Sequence, residues 1–349
     1  MHRKRSDPVL VGLSGGVDST VAAHLLREQG YDVHGLTLWL WKPEGPLENA
    51  CCSVDTAALA ARELGIPHEV IQAQDEFRGL VVEPVLRAYR AGLTPNPCAA
   101  CNREVRFTLL LREADRRGIE FVATGHHARV RQTDGQVRLL RGRDPAKDQT
   151  YFLYGLRRDE LTRALFPVGE RTKTDIKTLA QTLGLTAARL RESQDLCFAP
   201  DGIARLVPGA PRGPILDLRG RVLGEHQGLP HYTIGQRKGL GLSMPEPLYV
   251  VSLDSERNAV VVGPESALYS AGLVAAELHW LDADPPEDSF PAEVQVRYRS
   301  RAVPAQVRIQ NTVAHVSFAH PVRAITPGQA AVFYRGDEVL GGGTIARAL

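Results

Sequence analysis

Gly12-Leu-Ser-Gly-Gly-Val-Asp-Ser19 is the stretch on which the fold turns. It follows the apolar run Val9-Leu10-Val11 and precedes a segment whose Val21, Ala22, Leu25 and Leu26 share one helical face, closed by Gly30. The run reads as a buried strand, and the spacing predicts a helix over 19–29, ended where a left-handed residue closes it. A strand that enters a helix through a glycine-rich turn builds an anion site. Successive backbone N–H groups form a nest, and the helix dipole adds positive potential. Gly15 and Gly16 let the backbone approach an oxyanion, Ser14 and Ser19 add hydroxyl donors, and Asp18 is placed to help hold a magnesium ion. The loop has no Walker-type lysine. That points away from γ-phosphate transfer and toward ATP used to adenylate an oxygen, with pyrophosphate as leaving group.

Outward from this loop, Val33 to Leu40 reads as a second strand. Ser53 is placed to cap a helix bearing Val54, Ala57, Ala58, Ala61 and Leu64, which stops at Gly65, and Phe121 to Gly125 reads as a later strand. This alternation predicts a parallel sheet covered by helices. Residues 126–200 mix turns with helices, for example over 174–183, and read as an extension of the same domain. Beyond Asp201 the texture changes to short strands punctuated by glycine and proline. Hairpins are predicted over 215–224 and 248–263, and strands over 293–299, 305–310, 314–318, 330–334 and 339–345. So many short strands hide their edges best in a closed or nearly closed barrel. The expected organisation is an α/β nucleotide-binding domain over 1–200, a small central β domain over 201–265 and a C-terminal β-barrel over 266–349.

The chain has 349 residues, 43% hydrophobic and 23% charged, the balance of a folded protein, and no apolar run approaches the ~18 residues of a membrane helix. Met1 to Arg5 is basic but runs straight into Val9-Leu10-Val11, unlike a signal peptide, so the expected compartment is the cytoplasm. A net charge of +2 does not demand an anionic partner. The basic residues are 36 arginines and 6 lysines, and arginine's planar fork suits phosphate. The clusters Arg138, Arg141, Arg143 and Arg297, Arg299, Arg301 therefore read either as phosphate contacts or as solvated strand faces.

Five cysteines stand at 51, 52, 98, 101 and 197, an odd number without an export signal, which favours thiol chemistry or metal binding over a disulfide framework. Thr94-Pro-Asn-Pro-Cys98-Ala-Ala-Cys101-Asn102 is a proline-set loop with a CxxC pair, and Cys197 lies far along the chain. Structural zinc wants four ligands, and three plausible ones are visible.

Several of these segments resemble the MnmA family of tRNA-specific 2-thiouridylases, within the PP-loop pyrophosphatase superfamily, and the resemblance runs end to end. It is carried by the 12–19 loop, Thr94-Pro-Asn-Pro97, Cys101-Asn102, Ala123-Thr-Gly-His126, Lys147-Asp-Gln149 with Tyr151-Phe-Leu-Tyr154, and Leu165-Phe-Pro-Val-Gly169. Later matches are Gly224-Glu-His-Gln-Gly228, Thr233-Ile-Gly-Gln-Arg-Lys-Gly239, Thr326-Pro-Gly-Gln329 and Leu340-Gly-Gly-Gly343. The resemblance implies a PP-loop (HUP-like) domain and ATP with Mg2+ bound by Gly12, Leu13, Ser14, Gly15, Gly16, Val17, Asp18, Ser19, Leu38 and Gly125, with Leu38 against the adenine. It further implies that Asn96, Pro97 and Cys98 meet the target base and that His126, Lys147, Asp148, Gln149, Arg297, Tyr298 and Gln329 contact tRNA.

By the same resemblance the activity is 2-thiolation of the wobble uridine in glutamate, glutamine and lysine tRNAs, with Cys101 as nucleophile and Cys197 as persulfide carrier. A cysteine desulfurase or sulfur-relay protein would load Cys197, and a Cys101–Cys197 disulfide would follow transfer. The chain departs from the family pattern at Cys98, where relatives often carry an aspartate proposed as acid or base. Thiolates at Cys98, Cys101 and Cys197 would alternatively hold a [4Fe-4S] cluster with one iron open to sulfide. It departs again at Leu36-Thr-Leu-Trp-Leu-Trp41, where many relatives read F-M-K-N-W. Cys51 and Cys52, just beyond, read as incidental or loop-structural. Another adenylating PP-loop enzyme, such as a lysidine or GMP synthetase, would not need the thiols at 101 and 197. A non-catalytic tRNA-binding or iron-sulfur scaffold would not need the loop and thiols intact.

Overall fold

The computed structural model describes residues 6–42, 54–133, 135–190, 196–282 and 284–349. The expected cap at Ser53 and the cysteines at 51 and 52 lie outside the described residues. Strand β1 (Pro8–Gly12) is the middle of a five-stranded parallel sheet. Its side chains alternate between two cores: Val9 and Val11 pack with the helices of one face, Leu10 with the other. Helix α1 (Val17–Glu28) leads to β2 (Asp32–Trp39), and α2 (Val54–Leu64) leads to β3 (His68–Gln72). Residues 74–90 then form one helical stretch, α3 (Gln74–Phe77) and α4 (Glu83–Arg90) joined by a π turn at Arg78–Val82. A second stretch, α5 (Pro97–Ala100) and α6 (Phe107–Arg116), is joined by a π turn at Cys101–Arg106, a local distortion often found at functional sites. Strand β4 (Phe121–Ala123) returns beside β1, opposite β2. The connections therefore leave β1 toward β2 on one side and come back to β4 on the other, and the crevice at that switch is where α/β sheets bind ligands.

The next segment holds a hairpin that the sequence did not announce. Strands β5 (Ala128–Thr133) and β6 (Gln136–Arg141) pair with each other, and Leu140 pairs with Glu338 of the C-terminal sheet. Helix α7 (Arg158–Arg163) precedes the short edge strand β7 (Ala164–Leu165), and α8 (Lys173–Thr182) packs on α1. Strands β8 (Gly213–Leu216), β9 (Val222–His226), β10 (Tyr249–Asp254) and β11 (Ala259–Gly263) make a separate four-stranded sheet with its own apolar core around Ile215, Val250 and Val260.

The remaining strands are β12 (Tyr269–Trp280), β13 (Ser289–Gln295), β14 (Val303–Gln310), β15 (Val313–Arg323), β16 (Ala330–Arg335) and β17 (Glu338–Ala348). They run in the order β12-β15-β14-β13-β16-β17, and β12 pairs with β17 to close the barrel. The triple glycine explains how one strand serves both neighbours. A β-carbon on Gly342 would lie 2.6 Å from the Ala331 carbonyl of β16, and one on Gly343 2.6 Å from the Ala276 carbonyl of β12. The strand predicted over 293–299 stops at Gln295, because Ser300 turns back to donate from N–H and hydroxyl to the Arg297 carbonyl and Arg299 takes φ +66°. Arg297 and Tyr298 therefore sit in a turn rather than on a strand face.

One apolar cluster runs from the sheet (Leu10, Leu36) through the hairpin (Leu139) into the barrel wall (Val332, Tyr334). Leu139 is fully buried at that junction. Leu139→Ala is expected to lower stability by about 2–5 kcal/mol in urea denaturation, the range for a buried leucine truncation. A loss below about 1 kcal/mol would mean that the hairpin lies outside the shared core.

Candidate nucleotide and thiol site

The phosphate loop is pinned at its start, where Leu13 N–H donates to the Leu36 carbonyl (2.8 Å) and the Thr37 hydroxyl to the Leu13 carbonyl (2.7 Å). Ser14 and Ser19 face each other across the loop, Oγ to Oγ 3.0 Å, and Ser14 N–H donates to Ser19 Oγ. Ser19 Oγ in turn donates to the Gly16 carbonyl (3.0 Å). Gly16, at the N-cap of α1, has no side chain to satisfy the first N–H groups of the helix, so Val17 and Asp18 begin a turn whose donors await an acceptor. Gly15 takes φ +78°, and a β-carbon there would strike Thr56 and Ala57 at the start of α2. Gly125 closes the other side: its β-carbon would lie 2.5 Å from Ser19 N. Leu38 is buried on β2 in the cluster that also contains Cys101.

Two partners of Asp18 were not foreseen. Lys173 Nζ lies 2.7 Å from both of its carboxylate oxygens, and His127 Nε2 lies 3.2 Å from Oδ1. The Thr172–Asp175 capping box sets Lys173 as the first residue of α8, and its side chain is nearly buried. A threonine followed three residues later by an acid was a readable helix start, but nothing local linked that lysine to Asp18, 155 positions away. Burial would raise the Asp18 carboxyl. The His127 hydrogen bond and the Lys173 charge outweigh it and hold the group below its ordinary value.

His127 is fixed by Gln149, whose side-chain Oε1 accepts from His127 N–H (2.8 Å) and whose N–H donates to the His127 carbonyl (3.0 Å). Asp148 accepts from Gly142 N–H, Thr150 N–H, the Thr150 hydroxyl and Arg141, so both of its oxygens are used within the protein. Lys147 is half-buried, its N–H on the Asp144 carbonyl. His126 is stacked on Phe107, edge-on to Phe166, with Nδ1 2.8 Å from the Thr124 hydroxyl.

The thiol segments converge on the same core. Asn96 caps α5 by accepting from Ala99 N–H (3.2 Å), and Pro97 occupies the first helical position, where its missing N–H costs nothing. Cys98 is exposed, whereas Cys101, at the start of the π turn, is buried. Asn102 donates to the Phe152 carbonyl. Cys197 is half-exposed on a tight turn closed by Ala199 N–H to the Leu196 carbonyl. Its neighbour Phe198 inserts edge-on between Trp41 and Phe77, so Cys197 packs against the cluster that buries Cys101. No disulfide joins Cys98, Cys101 and Cys197.

From the barrel, Gln329 Nε2 donates to the Thr94 carbonyl (2.8 Å) and the Pro95 carbonyl (3.3 Å). Arg297 donates to the Ile234 carbonyl and to Thr326 Oγ1, and Tyr298 packs on Phe152 with ring centroids 4.3 Å apart. Among the described residues, no three His, Cys, Asp or Glu side chains come together as a metal site. The three thiols therefore do not form a ready cradle for a cluster.

Burial, then the charges of Arg106 and His127, push the His126 imidazole from 6.5 down to about 3. The native state thus binds fewer protons than the unfolded chain between those values. This contribution to stability is complete above about pH 6.5 and is lost as pH falls toward 3. Urea midpoints measured at pH 7.5 and 4.5 should drop less in His126→Gln than in the parent. Equal drops would show that His126 does not carry the difference.

The chain matches three family descriptions in succession: tRNA methyl transferase HUP domain over residues 7–201, tRNA methyl transferase PRC-barrel domain over 201–264, and aminomethyltransferase beta-barrel domain over 270–345. It is 48% identical to the tRNA-specific 2-thiouridylase MnmA of Roseiflexus castenholzii, across 97% of this chain and 99% of that one. It is also 48% identical to the protein of that name from Chloroflexus aurantiacus, across 97% and 98%, and 44% identical to that of Geobacter metallireducens, across 100% and 99%. Identity of that order over nearly the whole of both chains shows that this protein belongs to the MnmA family of tRNA-specific 2-thiouridylases.

Proposed function

We propose that the protein uses ATP to replace the C2 oxygen of the wobble uridine of tRNA with sulfur, acting in the cytoplasm on the glutamate, glutamine and lysine acceptors. The observation that carries this reading is the pairing of an uncapped α1 N-terminus with two thiol segments packed on one core, in a chain similar to 2-thiouridylases along its whole length. The wording of two matched domains names methyl transfer. The adenylation-type loop and the thiols at 101 and 197 favour sulfur transfer instead.

The first turn of α1 and the Gly15–Gly16 backbone receive the phosphates of ATP, and Ser14 and Ser19 add hydroxyl donors. Asp18, kept ionised by its partners, is the carboxylate suited to the magnesium ion, which offsets phosphate charge. Asn96, Pro97 and Cys98 face the base, and an unpaired anticodon nucleotide is extruded into such a site cheaply. Adenylation of O2 turns a poor leaving group into AMP and releases pyrophosphate. A cysteine desulfurase or relay protein loads Cys197 as the persulfide Cys197–S–SH. The Cys101 thiolate attacks the inner sulfur, which forms the Cys101–Cys197 disulfide and expels hydrosulfide. Hydrosulfide adds to C2, AMP departs, and a thiol reductant restores both cysteines with two electrons.

Cys101→Ser and Cys197→Ser are each expected to abolish 2-thiouridine, measured by nucleoside mass spectrometry, while pyrophosphate release with tRNA and ATP persists. Normal thiolation in either variant would overturn the persulfide route. Protein purified without air and freed of iron should thiolate fully when given a persulfide donor, and activity that returns only with a stoichiometric cluster would transfer the three cysteines to iron ligation. Gly125→Ala is expected to weaken ATP binding by at least about tenfold, since its β-carbon displaces the loop by more than an ordinary contact tolerates. Unchanged affinity by calorimetry would remove Gly125 from the nucleotide site.

A further inference from the structure

The loop that carries the thiols is held from outside its own domain. Thr94 N–H donates to the Pro327 carbonyl (3.0 Å), and Gln329 Nε2 donates to the Thr94 and Pro95 carbonyls. Gly328, at φ +92°, brings its backbone so close that a β-carbon would lie 3.0 Å from Thr94. The barrel side of this contact is rigid. Gly328 N–H donates to the Ile345 carbonyl and Ile345 N–H to the Gln329 carbonyl, both 2.8 Å, so β17 brackets the loop. Thr326 Oγ1 accepts from Arg297 (3.0 Å) and donates to the Ala324 carbonyl (2.9 Å).

The receiving side is stiff as well. Pro95 and Pro97 fix φ on either side of Asn96, and Asn96 caps α5, which ends one residue before Cys101. A shift at Thr94 is therefore passed to Cys98 and Cys101 rather than absorbed. Only the amide nitrogen of Gln329 can lie against two carbonyl oxygens, and its two protons are both used there. What remains is an acceptor oxygen, which offers nothing to an RNA phosphate.

We infer that Gln329 is a positioning residue of the sulfur-transfer reaction, through which the barrel holds Asn96, Cys98 and Cys101 in place for the target base. The inference rests on the thiolation reading for its kinetic test, but not for its chemical one. In Gln329→Ala, kcat for thiolation should fall by about ten- to a hundredfold, the effect of displacing a reacting group by about 1 Å, with the Kd for tRNA within about twofold of the parent. Site-resolved alkylation by iodoacetamide without tRNA or ATP should speed up at Cys101 by about five- to tenfold, as loss of one or two ordinary hydrogen bonds allows, and stay unchanged at Cys197. A residue that only touches RNA would raise the Kd and leave kcat and alkylation alone, and that result overturns the proposal. Unchanged values in all three measurements overturn it too. Gln329→Asn, which keeps the donors on a shorter arm, should fall between the parent and Gln329→Ala, and it decides the question by the same readings if the alanine variant does not fold. If the parent thiolates nothing, the function fails while the alkylation comparison still judges Gln329.

Discussion

The first turn of α1 sets an electrostatic demand that the surrounding structure is arranged around. A helix start presents several N–H groups with no partner within the helix, and a glycine at the cap leaves them for a ligand. Such donors serve a ligand only if the loop does not collapse onto them. Two glycines prevent side chains from filling the space, the Ser14–Ser19 pair fixes the loop's width, and β2 holds its entry. The switch between β2 and β4 puts these donors where open α/β sheets generally bind ligands.

Asp18 adds a negative charge to a site meant for anions, and its surroundings make chemical sense of that. Lys173 pairs with it and His127 hydrogen-bonds it from two separate segments, and together they keep the carboxylate ionised. Gln149 grips His127 by its backbone, and Asp148 organises the turn that presents Gln149. The segment 147–149 thus reaches the phosphate loop through His127, whatever its Lys147 side chain meets outside. Loss of the Lys173 charge or of the His127 hydrogen bond would leave Asp18 under-compensated in a half-buried place, where unpaired charge is expensive.

The parallel sheet was legible because period-2 and period-3.6 apolar patterns are local, and the loop because glycine, serine and aspartate at fixed spacing have few other uses. The barrel was legible as a class from its short strands, and the triple glycine has its reason in the close approach of β12 and β16. What stayed hidden depends on contacts across the chain. The β5–β6 hairpin reads as a polar, arginine-rich stretch, and only its pairing with β17 shows that Val137 and Leu139 face a core. Arg297 and Tyr298 alternate as a strand would, but a bond from Ser300 and a left-handed Arg299 turn them inward. Lys173 stands at the start of α8 with no local mark of its partner. No window of sequence contains both it and Asp18.

The unequal exposure of the three thiols fits the order of events that sulfur transfer requires. In the proposed reaction a carrier loaded by another protein must be reachable, and Cys197 is half-exposed on a four-residue turn whose Phe198 and Ala199 are sunk in the core. A nucleophile that must not be loaded or oxidised in its place should be shielded, and Cys101 is buried at the head of a π turn. Both pack on one apolar cluster, so the turn bearing Cys197 has a fixed seat near the helix bearing Cys101. Because that cluster also includes the barrel residues Ala330 and Val332, and the loop ahead of Cys101 is tied to Gln329, the barrel is built into the thiol site. A shift in the barrel wall or at Gln329 is therefore passed on to the thiols.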